Sequence, residues 1–469
     1  MQKSKLAIAV VGALFAMSAE AGTYILQANK WGPAQEAAVA AAGGRIVYAS
    51  ADAGMAVVES DNAGFGAAVQ ASRMVTEVLD DVVLNFDIPK AYEFEAEAGV
   101  VLTSETFWNL QWAPRAIEAP AAWSAGYTGA GVRVAVIDGG VHSTHADLNA
   151  RIDHARSRNF TSPGAPTGGC TSAPTSWNCD TGTFWHATHV SGIIAARGDN
   201  NLGTVGIAPD ATIVSLKALH NGSGSFGWII AAMLYAADEA NVSIINMSLG
   251  AETPRKQNAG LVAALNRAVN YATARGSLVV VAAGNSGYDM DKPPATVEVS
   301  PGVFEALGPS TIVVPAESGN AIAVSATAPI GYFLGNTYAA IPTSYTNYGN
   351  SLVWVSGPGG DTALPGNQVC SVPRLPAGVV NQFCWVLDLV FAPSRGTGAS
   401  TTTYAWAGGT SMAAPAAAAV AALIKQKYPN AGPGQLKARL AQSATDEGKT
   451  GQDPMHGNGF INARRAVTQ

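Results

Sequence analysis

What most restricts the fold of this chain is a series of short, almost wholly apolar runs separated by helix-like stretches. The runs are Arg133 to Ile137, Ile213 to Ala218, Ser243 to Met247, Leu278 to Ala283, Ala321 to Ala326 and Leu352 to Val355. A strand with one face in water alternates apolar and polar residues, whereas a run with no polar face must be covered on both sides. Trp228 to Asp238, and Leu261 to Ala274 with Gly276 behind it, have the pattern of helices that could supply the cover. From about Phe107 onward this predicts an α/β fold: a parallel sheet flanked by helices. In such sheets chemistry gathers at the carboxyl ends of the strands, so the residues that end these runs are the first candidates for function.

Ahead of that region, residues 23 to about 90 read β-α-β-β-α-β, from Tyr24-Ile25-Leu26 to Val75–Val83. This is a small α+β unit of the split-βαβ, ferredoxin-like kind. Lys90 to about Glu105, with Glu93, Glu95 and Glu97, reads as a linker. At the start, Lys3 and Lys5 precede an apolar run, Leu6 to Met17, and small residues up to Ala21, which predicts a secretory signal over residues 1–21. The run is shorter than the ~20 apolar residues of a membrane span, so no membrane association is expected once the signal is removed. With 13% charged residues and a net charge of -6, no basic face suggests nucleic acid. Four cysteines fit an oxidising compartment. Local bridges, Cys170 with Cys179 and Cys370 with Cys384, are the economical arrangement, but three pairings are open.

Several segments carry chemistry. Val134-Ala135-Val136-Ile137-Asp138-Gly139-Gly140 drives a strand into a carboxylate. Trp185-His186-Ala187-Thr188-His189 opens a small-residue helix, and Val279 to Ala283 ends in Gly284-Asn285-Ser286-Gly287. Gly409-Thr410-Ser411-Met412-Ala413-Ala414-Pro415 runs into an alanine-rich helix over Ala413–Lys425, with Pro415 expected in the first turn. Ser411 would then sit at a helix N-terminus, where free N–H groups favour negative charge on a nearby oxygen. Together these supply a nucleophile, a base, an orienting carboxylate and an amide donor.

In these segments the chain resembles the subtilisin-like serine proteases, whose order of Asp, His and Ser it shares. The resemblance implies a triad of Asp138, His186 and Ser411, with Asn285 in the oxyanion hole and no cofactor needed for catalysis. It implies that Ser248, Leu249 and Gly250 pair with extended polypeptide substrates, and that the bond before Pro315 is cis. Asp147 and Asn200 match positions that hold a structural Ca²⁺ in relatives. Residues 22–105 are similar to a propeptide that aids folding and then inhibits, leaving residues 106–469 as a monomeric peptidase, secreted from the cell or into the periplasm. Self-cleavage is expected between about Glu95 and Phe107. Gly139 stands where the family has Thr or Ser, and Ala187 where it has Gly. These departures make a catalytically weak or inactive peptide-binding relative the alternative reading. His142, His145, His186 and His189 form two His-x-x-His pairs that also suit zinc, but no His-Glu-x-x-His is present.

Overall fold

The computed structural model describes residues 22–86, 88–95, 105–162, 173, 175–179, 184–300, 303–306, 308–395 and 400–469. The expected signal, Cys170 and most of the expected cleavage segment lie outside these residues.

The N-terminal unit has the expected element order. Its antiparallel sheet runs Arg45–Ser50, Met55–Ser60, Gly22–Gln27, Glu77–Asp80, with helices Pro33–Ala41 and Phe65–Ala71. Strand alternation sends Tyr24, Leu26, Ala56 and Val58 to one face, where they pack with Val39, Phe65 and Val69 of the two helices. Ile25, Met55 and Val57 take the other face and join a core shared with helices Phe226–Asp238 and Ala259–Ala274 of the larger unit. Polar contacts fix that interface. The Arg267 guanidinium donates to Gln27 Oε1 (3.1 Å), Ala28 O (3.2 Å) and Ala53 O (2.5 Å). Tyr48 donates to Glu239 at 3.1 Å, and burial pushes its hydroxyl well above the ordinary phenol value.

The central sheet of the larger unit runs Ile341–Pro342, Ile322–Ala328, Leu278–Ala282, Ile244–Met247, Arg133–Asp138, Thr212–Lys217, Arg158–Asn159, with Val353–Pro358 also paired to Ile322–Ala328. Neighbours are parallel except at Ile341–Pro342. The chain enters at Arg133–Asp138, places Arg158–Asn159 and Thr212–Lys217 on one side of it, and then builds outward on the other. Asp138 therefore ends the strand at which the order reverses, the usual place for a crevice beyond the strand ends.

Helix Thr410–Lys427 passes through the core, buried at every residue from Thr410 to Ile424. It begins earlier than expected, so Pro415 lies beyond the first turn. Having no N–H, Pro415 cannot bond the Ser411 carbonyl one turn back. The Ser248 hydroxyl donates to that carbonyl instead, at 2.8 Å.

Two other expectations are corrected. Val75–Val83 is not one strand: Glu77–Asp80 stays in the N-terminal sheet, and Val83–Asn85 pairs antiparallel with Ser223–Ser225 of the larger unit. The supposed linker holds a strand, Ala91–Glu95, antiparallel to Thr403–Ala407. On its other edge Thr403–Ala407 pairs with Val390–Pro393. Nearby, hairpin Val369–Pro373/Val379–Phe383 is closed by the Cys370–Cys384 disulfide. The Val314–Pro315 bond is cis, as expected.

Candidate active site

Three strand ends and two helix starts meet at the crevice. Asp138 closes its strand 1% exposed, and helix Phe184–Ala195 brings in His186, also 1% exposed. His186 Nδ1–H donates to Asp138 Oδ2 at 2.9 Å, and Gly139 N–H donates to Oδ1 at 2.5 Å. A carboxylate on Nδ1 leaves Nε2 as the acceptor nitrogen of the ring. Among the described residues the buried Nε2 has no hydrogen-bond partner. Lys217 pairs in register with Asp138 on the neighbouring strand, and its Nζ donates to Gly139 O (2.6 Å) and Leu219 O (2.7 Å). Burial lowers its ammonium to about 8, opposed by the nearby Asp138 charge.

Both departures from the family pattern lie beside the Asp138–His186 pair. Gly139 supplies its own N–H to the carboxylate, and Ala187 packs with Val141, Leu148, Ile152 and Trp177.

Ser411 is buried at the second position of its helix. Its hydroxyl donates to Ser248 O at 3.2 Å, so no hydrogen bond joins it to His186 in this arrangement. Such bonds are often absent without substrate, and a χ1 rotation re-aims a serine hydroxyl. Asn285 follows strand Leu278–Ala282 through Gly284, whose φ of +100° suits glycine; a Cβ there would lie 2.3 Å from Asn347 Nδ2. Thr410 donates to Asn285 Oδ1 from both its N–H (2.9 Å) and its hydroxyl (2.8 Å). These two donors identify the oxygen and leave the Nδ2 hydrogens for another acceptor.

A cleft opens at Asn285 and Ser411. Ser248, Leu249, Gly250, Asn285 and Ser411 line it together with Phe86 and Ile88. Sequence reasoning placed the first five but missed the strand Ser223–Ser225, to which Val83–Asn85 is paired. The signal was present as the glycine-rich Asn221-Gly222-Ser223-Gly224 between a strand and a helix.

Asp147 and Asn200 do come together, bonded directly to each other. Asn200 turns its amide N–H to Asp147 Oδ1 (2.9 Å), while Thr204 N–H (2.9 Å) and the Tyr404 hydroxyl (3.0 Å) donate to Oδ2. Each of these partners donates to the carboxylate. Burial raises the Asp147 carboxyl to about 7. Among the described residues no group of three or more His, Cys, Asp or Glu side chains is arranged to hold a metal. Of the paired histidines, His145 Nε2 meets Thr403 O (2.9 Å) and His189 Nε2 meets Ala405 O (3.0 Å). Both are held near 4 by burial and brace the strand that leads to Ser411.

Comparison with known proteins fits this geometry. The sequence profile of the Subtilase family matches residues 129–459. Subtilisin Savinase of Lederbergia lenta is 33% identical over 360 residues, 76% of this chain and 99% of the relative. Alkaline elastase YaB of Bacillus sp. (strain YaB) is 33% identical over 382 residues, 81% of this chain and 75% of the relative. The epidermin leader peptide processing serine protease of Staphylococcus aureus is alike in fold, with a TM-score of 0.68 at 19% identity over 96% of this chain and 98% of that one.

Proposed function

The chain belongs to the subtilase family, a serine endopeptidase with the subtilisin-like α/β fold, and on that premise we propose that Asp138, His186 and Ser411 are its triad. The observation that carries this reading is the buried His186–Asp138 pair, which fixes the tautomer in which Nε2 can take a proton. In the proposed reaction Ser411 Oγ swings from Ser248 O toward His186 Nε2, gives up its proton there and attacks the peptide carbonyl. Asp138 stabilises the imidazolium, and His186 then returns the proton to the leaving amine. Asn285 Nδ2 and the Ser411 backbone N–H receive the charge on the carbonyl oxygen. The acyl-enzyme is hydrolysed by water along the same proton path. Ser248, Leu249 and Gly250 face the substrate from one side and Ser223–Ser225 from the other.

Ser411→Ala is expected to lower turnover about 10⁶-fold, the magnitude known for the corresponding change in the related enzyme subtilisin. A variant within tenfold of the parent would refute the assignment. The Subtilase family match and the subtilisin relatives do not favour the inactive-relative alternative.

The same reading makes residues 22–105 a secretory precursor's inhibitory leader of ferredoxin-like fold, and residues 106–469 the peptidase. Support comes from Val83–Asn85, which adds a strand beside the cleft as a peptide would, and from Phe86 and Ile88, which line it. Self-cleavage is proposed between about Glu95 and Phe107. Because Phe86 and Ile88 line the cleft, that cut follows detachment of Ala91–Glu95 or is made by a second molecule. The N-terminal residue of the mature chain decides: a start within 96–107 supports the proposal, and a start at Ile88 or Pro89 moves the cut to the residues now in the cleft. Export is proposed from the signal-like N-terminus; among the described residues no helix is long and apolar enough to cross a membrane.

A further inference from the structure

Beyond Ile88 the chain does not leave the enzyme. Pro89 lies so close to Gly409 that a Cβ there would be 3.2 Å from Pro89 Cγ. Ala91–Glu95 then pairs residue by residue with Thr403–Ala407, from Ala91↔Ala407 near the nucleophile to Glu95↔Thr403 farther out. The strand it joins leads directly through Gly408 and Gly409 to Ser411. The leader thus lines the cleft with Phe86 and Ile88 and pairs, farther on, with the strand that leads to Ser411.

One side chain of this exit strand is received in a built aromatic site. The Tyr92 ring meets the Trp385 ring edge-on, with centroids 5.4 Å apart. On Trp385 stacks Phe383, at 6.0 Å and 11° between planes. Phe383 pairs with Val369 across the hairpin closed by Cys370–Cys384, and both are exposed large apolar residues. A disulfide-closed hairpin that presents Val369, Phe383 and Trp385 beside a strand edge has the character of a peptide-binding surface.

We propose that, once the leader has left, the Thr403–Ala407 edge and the Trp385 face form a substrate subsite for the polypeptide that follows the scissile bond. The occupant is an extended chain that adds a strand to Thr403–Ala407 and sets an aromatic side chain against Trp385. Tyr92 marks the spacing, four residues beyond Ile88. The subsite rests on the reading of Ser411 as nucleophile, and it makes this enzyme selective for what lies well downstream of the cut.

The experiment uses the mature enzyme and peptides identical up to the cut. Their downstream tails carry Tyr or Ala at the fourth or fifth position after it, and one further peptide carries proline in the middle of the pairing stretch. With wild-type enzyme the better-placed Tyr tail is expected to raise kcat/KM about threefold to tenfold over Ala, the worth of an edge-to-face aromatic pair, through KM rather than kcat. The proline tail, lacking one N–H, should lose the gain. Trp385→Ala should bring the Tyr-to-Ala ratio to about one. Equal rates for Tyr and Ala tails in wild type would overturn the subsite, as would a Trp385→Ala ratio unchanged from wild type. Should Trp385→Ala fail to fold, the proline and Tyr peptides on wild type decide alone. A short chromogenic amide with no downstream tail separates the two readings: if wild type fails to cleave it, the nucleophile assignment is at fault, and if it is cleaved without tail preference, only the subsite falls.

Discussion

At the level of single residues, the pairing of Ser248 with Ser411 is the most exposed to test. Each hydroxyl donates to the other's carbonyl, and the bond to Ser411 O stands in for the N–H that Pro415 lacks. Ser248→Ala should therefore cost about 1 to 3 kcal/mol by leaving a buried carbonyl without a donor. Pro415→Ala restores an N–H one turn ahead, so the double variant should recover part of the loss in denaturant unfolding; additive losses would refute the exchange. Asn285→Ala should reduce kcat about 10² to 10³-fold with KM little changed, as for the equivalent residue of subtilisin. The candidate residues Asp138, His186, Asn285 and Ser411 stand out in the sequence because each is tied to the end of a strong apolar segment, where local sequence fixes position. The hydrogen bonds of Asp147 were not legible there, because Tyr404, 257 residues away, and Thr204 supply them.

Among elements, the segment Ala91-Tyr92-Glu93-Phe94-Glu95 is the instructive one. Its acidic residues suggested a linker, yet Tyr92 and Phe94 alternate with Glu93 and Glu95, and period-two alternation is the signature of a strand. The partner, Thr403–Ala407, lies too far along the chain to be named from sequence. Asp81 joins the N-terminal unit to helix Phe226–Asp238 in a similar long-range way, accepting from Gly227 N–H at 2.9 Å. Burial raises its carboxyl from 3.8 to about 6. Folding of the chain thus favours the protonated acid. Its contribution to stability is full below pH 3.8 and is lost as pH rises to about 6. In the Ser411→Ala precursor, Asp81→Asn should flatten that slope while keeping the acceptor for Gly227; an unchanged slope would refute the assignment.

For the whole molecule, the parallel sheet, its helical cover and the order of the N-terminal unit followed from periodicity alone. How the units meet did not. The face carrying Ile25, Met55 and Val57 reads simply as core, and only the folded chain reveals that its partner is helix Phe226–Asp238. On the proposed reading Val83–Asn85 and Ala91–Glu95 belong to a leader that passes Ser411, so loss of that residue should do more than stop turnover. Ser411→Ala should accumulate uncut precursor, visible by mass; normal processing of that variant would refute autoprocessing. The most direct measurement is covalent labelling with a phosphonate, mapped by mass spectrometry in the presence of a chelator. The account predicts one adduct, on Ser411, with activity falling in step and labelling slowed by His186→Ala. Full peptidase activity in enzyme completely labelled at Ser411, or inactivation with the label elsewhere, would contradict it.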